Sequence, residues 1–178
     1  LDPEQSTQVA IFIVCLLLSA FFSASETALL SVSKIRMRTL AEEGNKKAKN
    51  VEKLLENTDA LLSTILVGNN LVNILATSLS TSLAISMFGS SGVGIATAIV
   101  TVLILIFSEI TPKSLSAKYS DTLALSVAQA LSFLVVLFKP IVVVLNFISG
   151  LIIRLFGGKL EVAPAITEEE IKTVVTVG

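Results

Sequence analysis

The length of its apolar runs constrains this chain more than any other feature. Residues 9–32, 60–88 and 93–110 each stay apolar over about 20 residues, the length a helix needs to cross a hydrocarbon core of about 30 Å. A water-soluble helix would place polar residues along one face at every turn, and these runs do not. With 53% of its residues hydrophobic and only 15% charged, the chain has a bilayer as its solvent. A helix over residues 60–88 would rise roughly 43 Å, so it must tilt, kink or protrude.

Charge sets the orientation. Lys34, Arg36, Arg38, Lys46, Lys47, Lys49 and Lys53 crowd between the first two runs, whereas Asp2 and Glu4 precede the first. Basic loops stay inside, so the N-terminus is expected outside and residues 34–58 on the cytoplasmic side. There Gly44 and Asn45 divide a helix-forming stretch into a hairpin whose basic side faces anionic headgroups. The acidic flank also marks the first run as a retained helix rather than a cleaved signal.

The GSSGVG stretch at 89–94 makes an outer turn, and the third run returns to Lys113 and Lys118. Beyond it, apolar residues 122–138 and 141–153 are divided by Lys139 and Pro140 and flanked by basic residues. A proline-kinked juxtamembrane helix over about 120–157, embedded from the cytoplasmic side, is expected here rather than a fourth span. Residues 161–178 turn polar, and Thr167 with Glu170 reads as a capping box opening a soluble helix. They are expected to begin a cytoplasmic region cut short soon after its start. The fold class is thus an all-α integral membrane protein. It has three transmembrane helices, a cytoplasmic helical hairpin and a kinked belt helix, with residues 1–160 as the membrane domain.

Three polar clusters interrupt the runs. An ionisable group in a span costs about 2.5–3.5 kcal/mol on insertion scales and therefore usually faces an interior pathway. In the first cluster, Ser23, Ser25 and Glu26 sit roughly 21 Å along the first helix, and Ser23-x-x-Glu26 suggests a helix break with a second half-helix starting there. In the second, Gly68 precedes Asn69, Asn70 and Asn73; Asn69 and Asn73 are one turn apart and share a face. In the third, Ser108 and Glu109 precede Pro112, which cannot donate to the Ser108 carbonyl and is expected to end the third span. The plainer alternative there is that Glu109 pairs with Lys113.

Hydroxyls, amide oxygens, backbone carbonyls and carboxylates form a hard-cation donor set, suited to Mg²⁺, Ca²⁺ or Na⁺. The chain has no histidine, and Cys15 is its only cysteine. The usual general base, transition-metal ligand and disulfide framework are therefore missing. A serine hydrolase built on Ser23 or Ser25 would lack its base, so the chain is not expected to be an enzyme.

Together FSASE, LVGNNLVN and SEITPK, with the basic hairpin between the first two and the long helix after the third, resemble the transmembrane domain of the CorC and cyclin M family of magnesium transporters. The resemblance implies a homodimer in a plasma or inner membrane that moves Mg²⁺ outward, with Na⁺ entry driving it. It also implies cytoplasmic CBS domains that bind nucleotide, outside residues 1–178, and no nucleic-acid partner. By motif it assigns Ser23, Gly68, Asn73 and Glu109 to the metal. Ser25, Asn69, Glu26 and Ser108 are secondary contacts, and Pro112 and Pro140 are helix breaks. Animal relatives usually place an asparagine near Glu26, which leaves that carboxylate for Na⁺ or gating.

Overall fold

The computed structural model describes residues 2–89 and 92–156, and every regular element among them is helical. Helix α1 spans Pro3–Ser31. Pro3 suits a first turn, where its missing N–H is no loss, and the Gln5 side chain accepts from the Asp2 backbone N–H at 3.1 Å. α1 runs without a break through Ser23, so the half-helix expected to start there does not form. A Ser-x-x-Glu pair caps a helix only where backbone N–H groups are orphaned, and inside α1 the preceding turn already satisfies them.

α2 (Lys34–Glu42) and α3 (Lys46–Glu56) form the expected hairpin. Gly44 takes φ +95°, and Asn45 N–H reaches Leu40 O while Gly44 N–H reaches Ala41 O, which closes α2 in a Schellman turn. Asn45 then caps α3 by accepting from the Lys47 and Ala48 N–H groups at 3.0 and 3.2 Å. Ala48, Val51 and Leu54 are buried along one side of α3, against a surface that carries its lysines.

α4 spans Thr58–Phe88 and ends at Gly89, whose φ of +67° an L side chain rarely adopts. Its buried line includes Gly68, Val72, Ala76, Ser80 and Ala84, each four residues after the last. Such small residues let two helices approach closely in lipid, where no hydrophobic drive pulls them together. α1 packs along α4.

The third long helix, Val93–Lys118, does not stop before Pro112 as expected. It is α-helical over Val93–Leu103 (α5), widens to a π-helix over Ile104–Ile110, and becomes α-helical again over Thr111–Lys118 (α6). Thr111 N–H bonds to Ile106 O, five residues back. Pro112 removes one donor from the four-residue ladder, and the switch to five-residue spacing just before it lets the helix continue.

α7, Ser120–Leu155, stays helical through Pro140. Among the described residues four helices are therefore long and apolar enough to cross a membrane: α1, α4, the Val93–Lys118 helix and α7. Residues 1–142 form one compact unit whose core joins Phe22, Leu29, Leu61, Ile65, Ala124 and Leu131. In that unit Asp121 ties the start of α7 to the α1–α2 corner, accepting from Ser33 N–H at 3.3 Å and pairing with Arg36 at 2.9 Å. A second unit begins at Val143, and its described part is the remainder of α7, where Val143, Val144, Phe147 and Leu151 are exposed. The sequence-predicted capping box at Thr167 and Glu170 lies outside the described residues.

Candidate functional site

Many hydroxyls in the long helices donate to a carbonyl of their own helix. Thr64 donates to Ala60 O, Thr77 to Asn73 O, Thr97 to Val93 O and Ser126 to Thr122 O, each at 2.8 Å. Ser23 and Ser25 depart from this habit. They are 1% and 0% exposed, yet neither Oγ has a partner among the described residues. An unpaired buried polar group costs about 1–3 kcal/mol, so two on one helix call for an explanation. Two residues apart, they lie roughly 200° from each other around α1 and so serve different sides.

The Asn73 Oδ1 atom on α4 is likewise buried without a partner among the described residues. Asn69, one turn earlier, is engaged: its Oδ1 accepts from Ser19 Oγ at 2.9 Å. Ser19, 1% exposed, is a site residue the sequence reading missed. The available signal was its position four residues before Ser23, on the same face of α1. Gly68, also on α4, sits against the Phe22 ring of α1. A Cβ there would fall 2.6 and 2.9 Å from the ring's Cε1 and Cε2 atoms. Close helix contact thus requires glycine at 68, and because α4 is continuous, the Gly68 carbonyl belongs to its helical ladder.

The π segment carries the third cluster. Ser108 is fully buried and its hydroxyl reaches across to the Leu16 backbone carbonyl of α1 at 3.1 Å. Glu109 is half-buried. The lysine one turn away does not pair with it: Lys113 Nζ lies 3.3 Å from Glu26 Oε2, bridging α6 to α1. Glu109 has no ion pair among the described residues. Ser23, Asn73 and Glu109 therefore lie on three elements, and α1 packs against both of the others.

Two cavities of about 440 and 600 Å³ have mainly apolar linings, and neither includes Ser23, Asn73 or Glu109. Among the described residues no three His, Cys, Asp or Glu side chains gather as a metal site. The buried unpartnered side-chain atoms are instead neutral oxygens of serine, asparagine and glutamine.

Long apolar helices seamed by buried, unpartnered oxygens define a polytopic membrane protein with a polar interior, the class to which transporters belong. The chain belongs to the family of the cyclin M transmembrane N-terminal domain, whose model matches residues 10–178. That family is one of membrane domains rather than of enzymes. A UPF0053 protein of Haemophilus influenzae is 43% identical over 172 residues, which are 96% of this chain and 41% of the relative. The UPF0053 inner membrane protein YfjD of Escherichia coli is 41% identical over 160 residues, 89% of this chain and 37% of its own. A polyamine export protein of Salmonella typhimurium is 32% identical over 185 residues, 95% of this chain and 41% of its own. The chain thus spans about two fifths of the length of these relatives.

Proposed function

We propose that the chain forms the membrane-embedded part of a cation exporter that carries Mg²⁺ outward by alternating access, with Na⁺ entering in exchange. The observation that carries this reading is that Ser23 Oγ on α1 and Asn73 Oδ1 on α4 are buried without partners among the described residues, as are Ser25 Oγ, Gln8 Oε1 and Ser116 Oγ. A carboxylate free of lysine, Glu109, accompanies them. Oxygen donors left unsatisfied inside a protein are the ones a dehydrated cation would satisfy.

In this proposal Ser23 supplies a hydroxyl, Asn73 an amide oxygen and Glu109 the charge. Ser25 and Ser108 are further contacts, and Gly68 offers its carbonyl. Asn69 joins only after releasing Ser19. Glu26, held by Lys113, gates or takes Na⁺. Three helices span with the N-terminus outside, α7 lies as a belt kinked at Pro140, and Pro112 sets the widened turn beside Glu109. The protein works as a homodimer in the inner or plasma membrane, and nucleotide acts through CBS domains outside these residues.

Proteoliposome flux tests this reading. Glu109→Ala and Asn73→Ala should each lower Mg²⁺ movement about tenfold or more, the loss typical of disturbed metal sites. Undiminished flux in both would sink the assignment. Mg²⁺ binding without turnover in the wild-type protein would instead favour a sensor or scaffold that signals through a further domain.

The exporter named for polyamines supports a second cargo. An ammonium group donates to the same hydroxyl, amide and carboxylate oxygens that would ligate Mg²⁺. Flux decides between the cargoes: a polyamine exporter would move spermidine in the absence of Mg²⁺ and a Mg²⁺ exporter would not, and because the oxygens are shared, excess Mg²⁺ should slow the spermidine flux.

A further inference from the structure

Lys113 stands between two carboxylates. It follows Glu109 by four residues, the spacing at which helix side chains meet, yet its ammonium lies 3.3 Å from Glu26 on another helix. Both members of the pair are partly exposed, with side chains at 46% and 37%, so neither is locked by burial. A four-carbon stem lets one ammonium serve either acid. The observed arrangement is the one that leaves Glu109 open.

We propose that Lys113 is a tethered counter-cation that exchanges between Glu26 and Glu109 as the transported cation leaves and enters. With cargo at Glu109, Lys113 rests on Glu26; when cargo departs, Lys113 moves to Glu109 and keeps that carboxylate neutralised. Lys113 on Glu109 would spare the emptied site a bare acid in the membrane, where an uncompensated charge is costly. Glu26 becomes a parking site for the lysine, and its occupancy sets cargo affinity from a neighbouring helix. The proposal rests on Glu109 being the charged ligand of the transport reading.

Titration of the detergent-purified protein with Mg²⁺ tests it, because the lysine changes affinity in a direction a purely structural pair would not. Glu26→Gln removes the parking site, commits Lys113 to Glu109 and should weaken Mg²⁺ binding about two- to fivefold, the range for a partly exposed ion pair. Lys113→Met removes the competitor and should tighten binding by a similar factor while slowing release in flux assays. The double variant Glu26→Gln/Lys113→Met should match Lys113→Met, since without the lysine Glu26 has nothing to hold.

Wild-type affinity in Glu26→Gln, or weakened binding in Lys113→Met, overturns the exchange. If Glu26→Gln does not fold, the sign of the Lys113→Met change still decides. Failure of the wild-type protein to bind Mg²⁺ would refute the transport reading instead, so the two failures are distinguishable.

Discussion

Gly68 allows the close packing of α1 and α4 to be tested quantitatively. In Gly68→Ala the added methyl would meet the Phe22 ring, with two ring atoms at 2.6 and 2.9 Å, well inside van der Waals contact. Phe22 is only 5% exposed and touches Phe21 edge-on at 5.5 Å between centroids, so the ring has little room to turn. Overpacking of this kind costs about 1–3 kcal/mol. The better helix propensity of alanine returns up to about 1 kcal/mol. The net loss is then up to about 2 kcal/mol, or a Tm lower by up to about 8 °C for a chain of this size. Thermal unfolding in detergent, followed by circular dichroism, measures it. Phe22→Leu in the Gly68→Ala background should recover part of the loss, with a coupling of about 0.5–3 kcal/mol between the two sites. A Gly68→Ala protein more stable than the wild type, or additive effects of the two changes, would refute the close approach.

Two further outcomes follow from the same contacts. Ser19→Ala leaves the Asn69 Oδ1 atom without its donor and should cost about 1–3 kcal/mol in detergent unfolding, whereas Thr97→Ala, which loses only a bond to its own helix at an exposed position, should cost under about 1 kcal/mol. For Arg36 and Asp121, a double-mutant cycle should give no more than about 1 kcal/mol, shrinking as salt rises, because Arg36 is 68% exposed.

How much of this was legible beforehand depended on whether the signal was local. The apolar runs and the Gly44–Asn45 turn are encoded by neighbouring residues, and the helices and the α2–α3 hairpin follow from them. The cluster residues were legible as misplaced polar groups for the same reason. Contact between helices was not. Nothing near Lys113 says that its partner is Glu26, 87 positions away, rather than Glu109, one turn away. Nothing near Gly68 names Phe22.

Two local signals misled. Ser23-x-x-Glu26 has the residues of a cap but lies within an intact helix, where no orphan donor awaits it. Pro112 reads as a stop, yet widening the preceding turn to a five-residue repeat absorbs the missing donor.

The attachment of α7 at Asp121 has a mechanical consequence. Its contacts with Ser33 and Arg36 join the first turn of α7 to the corner where α1 becomes α2. A pull along α7 would reach that corner through Asp121 as well as through Tyr119, which joins α7 to α6. α1 leads from the corner to Glu26 and Ser23, so strain entering at one carboxylate would be passed to the helix that carries them.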